Sequence, residues 1–280
     1  IAIWQIGRIV EYTEHASVWF PAAGYTLACF LVLGWRAVLP IMVAAIAITV
    51  WNGHNYSLPL SNVELMWGGV LFGIAHMVPY YAGASVLGHL LRKPDVTTPQ
   101  LIVSFLIIGC ISSLVATQLV ISSLVLTNQM PAADIKEAML PFWIGDMAGV
   151  VVLAPLFAGF LVKICATSKI DFLAFSNCAS SDLHCYFKKV AINLALILFV
   201  MLLAKLTQSR DSAFAIFFLA ITHMWIACTE STKHNVISLA ISSLCIVSLV
   251  HIFALMDYVK VYQFALNVIA ANALFGIAIP

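Results

Sequence analysis

Charge is what this chain has least of. Only 9% of its 280 residues are charged, 12 acidic against 13 basic, for a net charge of +1. No basic block interrupts the sequence, so nothing offers nucleic acid an electrostatic footprint. Catalytic signatures are missing too: there is no P-loop, no nucleophile elbow and no paired acidic motif suited to polyprenyl-phosphate or glycosyl transfer. No internal repeat and no clear pair of broken helices, the marks of a transporter, is evident. The apolar runs lack period-2 alternation, which excludes a transmembrane barrel. The chain is therefore read as a non-enzyme.

Hydrophobic residues fill the space instead, at 63% of the chain. Soluble domains do not reach that share. Apolar runs of span length recur from end to end, so the expected fold is all-α, a polytopic transmembrane helical bundle of about eight to ten spans. Ten segments are legible: Ile1–Val10, Ala16–Gly34, Ala37–Trp51, Val63–Leu91, Leu101–Leu126, Ala138–Val162, Val190–Leu206, Ala213–Cys228, Val236–Leu255 and Val261–Ile279. The longest polar break runs from Lys163 to Lys189. Residues 1–280 read as a single membrane module. Because it begins at Ile1 and ends at Pro280 within an apolar run, it is expected to be a membrane module cut from a longer chain.

Short-loop Lys and Arg set the expected orientation. Arg36, Arg92, Lys93, Lys233 and the lysines of 163–189 fall on one side, against Lys136, Lys205, Arg210 and Lys260 on the other. The basic side is cytoplasmic on this rule, which puts the 163–189 loop inside, the Asn52–Asn62 loop outside and the C-terminus in the cytosol.

Against that background, polar groups inside the spans stand out. Asp146 sits in the run Pro141-Phe-Trp-Ile-Gly-Asp-Met-Ala-Gly149, which continues to Pro155. A charged side chain at mid-bilayer costs roughly 2.5–3.5 kcal/mol on insertion scales, so Asp146 is expected to face protein. Gly145 and Gly149 leave room for a neighbouring backbone, and Pro155 removes a helix donor. His76 and Tyr80 lie one turn apart in the fourth segment. Tyr80, His76 or a Ser/Thr side chain are the candidate partners for Asp146. Trp143 is expected at the rim of a cavity beside Asp146, with Trp19, Pro21 and Gly24 shaping its wall. The Ser and Thr pairs of the fifth segment are expected to join helices.

No cofactor is called. His76 and His223 are the two deep histidines, and a haem held between them, or copper with Met77 and Met224, would use these residues. Cys178, His184 and Cys185 match no compact zinc pattern. Cys29, Cys110, Cys228 and Cys245 are expected in the core.

Three stretches carry a family resemblance. Ser17-Val-Trp-Phe-Pro-Ala-Ala-Gly24 followed by Leu31-Val-Leu-Gly-Trp-Arg36 resembles the "W-P-P-A-G … L-G-R-R" opening of the bacterial membrane-associated sensor domain of the first MASE type. Phe142-Trp-Ile-Gly-Asp-Met-Ala-Gly149 with Ala154-Pro155 is similar to its "W-W-x-G-D-x-x-G … A-P" signature, and Tyr81–Arg92 to its "E-A-L-L-G-A-W-L-L-R" segment. Phe20 replaces the first proline of the opening, Ala82 or a neighbour stands where the family often has Glu, and Cys228–His234 replaces an Arg-Phe-Gly-like turn.

The resemblance implies a sensory input module of a two-component histidine kinase or of a cyclic-di-GMP cyclase or phosphodiesterase. It implies fusion through the last helix to an output domain after residue 280, with a homodimer formed through that domain and the module set in a bacterial inner membrane. The stimulus would be a small-molecule ligand or a membrane-protein partner within the lipid bilayer. The readings that stand beside it are a stand-alone membrane transporter and a haem- or metal-binding membrane protein.

Overall fold

The computed structural model describes residues 2–9, 11–13, 16–17, 19–165 and 183–277. Helix α1 (Ala2–Ile9) leads into two short antiparallel strands, β1 (Glu11–Thr13) and β2 (Ala16–Ser17). Helix α2 (Pro21–Leu33) passes through a 3-10 turn at Gly34–Ala37 into α3 (Val38–Asn55). Then come α4 (Asn62–Leu90), α5 (Thr98–Leu126), α6 (Ile135–Ile164) and α7 (Leu183–Thr207). A short α8 (Arg210–Ala213) and a 3-10 stretch lead into α9 (Leu219–Thr229), followed by α10 (Thr232–Ile252) and α11 (Val259–Gly276).

All ten apolar segments of the sequence therefore carry helix. Among the described residues, seven stretches are long and apolar enough to cross a membrane, with Pro21–Asn55 counting as one. That stretch is a hairpin and not one long helix. Gly34 breaks it at a φ of 59°, Thr26 and Leu31 of α2 meet His76 and Gly88 of α4 in parallel order, and Met42, Ile46 and Gly53 of α3 meet Gly73, Gly69 and Leu65 of α4 in antiparallel order. Of the other apolar segments, α1 has only 8 residues, and α11 interrupts its 18 residues with Lys260, Gln263, Asn267 and Asn272. The helices α6 and α7 also extend into the expected 163–189 loop, so Lys163, Lys188 and Lys189 are helical. Lys169 and Cys178 of that loop, like Glu14, His15, Val18, Ile1 and Pro280, lie outside the described residues.

Helix starts follow local chemistry. At α4, Ser61 and Glu64 form a capping box: the Ser61 amide donates to Glu64 Oε2 at 2.7 Å and the Glu64 amide to Ser61 Oγ at 3.3 Å. At α5 the Thr97 amide donates to Gln100 Oε1 at 3.0 Å, and Pro99 fits the first turn, where no backbone donor is needed.

The most enclosed of the spans is α6, which packs on α2, α5, α10 and α11. Residues 144–146 and 148–155 of it are buried with hardly a break. Its neighbours fix direction. Gly68 lies against Gln129 and Gly83 against Ser112, so α4 and α5 are antiparallel. Gln263 bonds at Pro141 and Asn267 at Ile144, so α11 runs parallel to α6. The Ser and Thr side chains of α5 mostly bond back to their own helix: Ser113 Oγ donates to the Cys110 carbonyl, Ser122 Oγ to Gln118 and Ser123 Oγ to Val120. They serve helix contacts through small size, as where Ser112 meets Gly83, instead of bonding across them. Helix-to-helix bonds occur in the second half, where Asn193 Nδ2 donates to Ser242 Oγ at 2.8 Å and Asn235 Nδ2 to the Ala273 carbonyl at 2.9 Å. Cys29 is buried, whereas Cys228 faces outward.

Candidate functional site

The site begins with two glycines. A Cβ at Gly149 would collide with the backbone carbonyl of Phe20, and one at Gly24 with the backbone carbonyl of Gly149. Each glycine is there because the other segment's main chain occupies the space of its side chain. The non-helical backbone at Trp19–Phe20 is thereby pressed onto α6, where the Phe20 amide donates to the Gly145 carbonyl at 3.1 Å. Irregular backbone among membrane helices persists only where protein or a cavity satisfies it. Here it does both, because the Phe20 side chain lines a cavity.

That cavity holds about 80 Å³. Its walls include Trp4 of α1, Phe20, Phe72 of α4 and Phe142 of α6, and its polar lining is Thr49, Asn52, His76, Gln129 and Asp146. Asn52 lies near the end of α3 and Gln129 just beyond the end of α5. Asp146 lies eleven residues into α6 from Ile135, roughly 16 Å along the axis at 1.5 Å per residue. The cavity thus runs from the α3 and α5 ends down to a carboxylate in the bundle interior.

Asp146 is 5% exposed and accepts a hydrogen bond from the Tyr80 hydroxyl at 2.8 Å. Tyr80, itself fully buried, is the partner the sequence allowed among others. His76 sits one turn before Tyr80, its ring stacked on Phe72 at 5.9 Å between centroids and edge-on to Trp4 at 5.8 Å. Its Nε2 shares a hydrogen bond with Thr26 Oγ1 at 3.2 Å, tying α4 to α2. None of the described residues lining the cavity is Lys or Arg. A carboxylate with one neutral donor is thus held in a mostly aromatic enclosure.

The α6 segment that carries Asp146 is also gripped from behind. Gln263 Nε2 donates to the Pro141 carbonyl and Asn267 Nδ2 to the Ile144 carbonyl, each at 3.3 Å. Gln263 is fully buried, and Asn267 Nδ2 also donates to the Gln263 carbonyl at 2.9 Å. The last helix thus holds the backbone one half-turn and more before Asp146.

Comparison with known proteins agrees with this arrangement. The MASE1 family model matches residues 1–275, nearly the whole chain. The chain belongs to the MASE1 family. MASE1 domains are membrane sensory input modules and are not themselves catalytic. No curated protein and no solved structure matches the chain. In this MASE1 chain two of the three stretches that carry the resemblance are the two faces of one contact, the Phe20–Gly24 segment against Gly145–Gly149.

The remaining expected site residues fall as follows. Trp19 and Pro21 are buried on either side of Phe20, and of these three only Phe20 lines the cavity. Pro155 is buried within α6, further along the helix from the cavity. Trp143 does not stand at the rim. Its indole points across to α5 and donates to the Cys110 carbonyl at 3.2 Å, while the adjacent Phe142 takes the rim position, because the helical turn aims neighbouring residues about a quarter-turn apart. His223 belongs to α9, which packs on α7, α10 and α11 and not on α4, so it is not brought together with His76. No group of three or more metal-binding side chains occurs among the described residues.

A second polar cluster was not anticipated. Lys189 Nζ lies 2.6 Å from Glu230 Oε1 and donates to Thr229 Oγ1 at 2.8 Å, over the Trp225 ring. The His234 ring stacks on Tyr186 at 4.4 Å. Lys189 is 8% exposed, so this ion pair is buried where α7, α9 and α10 meet. It occupies the turn that departs from the family pattern, and Glu230 within Cys228–His234 was the available signal.

Proposed function

We propose that this chain is the sensory input module of a bacterial inner-membrane signalling protein whose output is a histidine kinase or a cyclic-di-GMP enzyme. The observation that carries the reading is the grip of Gln263 and Asn267 on the α6 backbone at Pro141 and Ile144, next to Asp146. A change at the cavity that shifts this part of α6 must either move α11 with it or break two side-chain hydrogen bonds in an apolar interior. Signal reception and relay are then one mechanical unit.

A stimulus acts by binding one packing of the bundle more tightly than the other, since equal affinity shifts nothing. Entry is from the side where α3 and α5 end. The end of α4 at Arg92 and Lys93 is on the opposite side and is basic, which the positive-inside rule makes cytoplasmic. Because α11 runs parallel to α6, its C-terminal end leaves on that same side, in line with a cytosolic, dimeric output region. The stimulus is accordingly a periplasmic small molecule or a membrane-protein partner.

The test uses the full natural protein in lipid nanodiscs, with output activity as the readout. Asp146→Asn and Gly149→Leu are each expected to uncouple output from stimulus at normal expression. Wild-type output from both variants would end the proposal.

A further inference from the structure

We infer that the cavity is a binding site for a small organic ammonium ion entering from the side where α3 and α5 end. The inference rests on the sensory reading above and names the chemical class of its ligand. Three observations converge on it. First, Asp146 brings a carboxylate to the inner end of the cavity, and none of the described lining residues is Lys or Arg. Second, Thr49 commits its proton to the Ala45 carbonyl at 2.9 Å, so its hydroxyl oxygen is left to accept, and a ligand that donates N–H groups suits it. Third, Trp4, Phe20, Phe72 and Phe142 present aromatic surface, and ring faces attract cations most strongly where water is excluded.

Size narrows the class. A space of about 80 Å³ accommodates an ion of a few heavy atoms. An ionised Asp146 disfavours an anionic ligand. A hard inorganic cation demands a near-complete shell of oxygen ligands, which mostly aromatic walls do not supply.

Titration of the purified chain in nanodiscs tests this, with ethylammonium and tetramethylammonium chloride as probes and calorimetry plus tryptophan fluorescence as readouts. Ethanol serves as the uncharged match, and sodium and potassium chloride as inorganic controls. Saturable binding of an ammonium probe is expected, with no binding of ethanol and no competition by sodium. Asp146→Asn is expected to weaken binding by roughly tenfold or more, through loss of a charge-assisted contact. Trp4→Leu, which leaves the α2–α6 contact untouched, is expected to weaken it several-fold and serves if Asp146→Asn does not fold. Unchanged affinity in a folded Asp146→Asn or Trp4→Leu variant overturns the proposal, as does tighter binding of sodium than of ethylammonium. So does the absence of binding by either ammonium probe. The sensory reading is tested separately: ammonium binding with no change in output in the full protein would sink that reading and leave the site standing, whereas stimulus-dependent output without ammonium binding would do the reverse.

Discussion

Replacing Gly149 by alanine isolates the contact on which both family motifs depend. Any glycine in a helix interior gains about 1 kcal/mol on becoming alanine, because the backbone loses less entropy on ordering. At Gly149 that gain meets an obstacle. The new Cβ would overlap the Phe20 carbonyl oxygen and carbon, which are main-chain atoms and cannot rotate away. Overpacking of this kind costs about 1–3 kcal/mol. Pushing the Trp19–Phe20 segment off α6 also strains the 3.1 Å bond from the Phe20 amide to the Gly145 carbonyl, worth about 0.5–1.5 kcal/mol net. The obstacle is then roughly 2–4 kcal/mol, and the net effect is a loss of about 1–3 kcal/mol. Gly88→Ala is the matched control, since its Cβ would meet only Leu31 Cδ1, at 3.8 Å. Equilibrium unfolding in mixed micelles should place Gly149→Ala roughly 2–4 kcal/mol below Gly88→Ala. Equal stability of the two variants would refute the interlocked-backbone account.

Further outcomes follow from the buried polar groups. Lys189→Met leaves Glu230 buried without its partner and should cost about 3–5 kcal/mol in unfolding experiments, while Lys189→Met with Glu230→Leu should recover most of that loss. A double variant as unstable as the single would mean that the pair does not act as a unit. His223 is fully buried, and neither ring nitrogen has a partner of ordinary hydrogen-bond geometry among the described residues. His223→Leu should therefore be neutral or stabilising, because an unsatisfied buried polar group costs about 1–3 kcal/mol. A clear loss of stability, or of a visible absorption band, would return His223 to the list of functional ligands.

Much of the fold was legible because membrane helices announce themselves by apolar length, and each of the ten apolar segments carries one. Segment boundaries were less legible. The polar residues Lys188 and Lys189 read as loop, yet helix α7 begins at Leu183 because Glu230 and Thr229 receive the Lys189 ammonium across the bundle. No local pattern encodes a pairing 41 residues distant. The candidate site shows the same division. Asp146 stood out by its cost in an apolar run, and Gly149 by its spacing from Gly145. That Gly149 meets Phe20 and Gly24 depends on two helices meeting in space, which side-chain type alone does not reveal. Trp143 and Phe142 exchange roles for a related reason: which of two adjacent aromatics faces inward depends on helix rotation, and apolar residues on every side of α6 leave that rotation unmarked. Gln263 and Asn267 were the missed signal. Two amides four residues apart share a helix face, and in an apolar helix they call for acceptors on a neighbour.

The central claim, that the cavity speaks to the output through α11, is tested most directly by a double-mutant cycle on output activity of the full natural protein in nanodiscs. The perturbations are Asp146→Asn at the cavity and Gln263→Leu with Asn267→Leu at the α6–α11 grip. The account predicts that Asp146→Asn changes output in the wild-type background and has no effect once the two amides are gone. An equal change in both backgrounds would mean that the signal leaves the site by another route, and the account would be wrong.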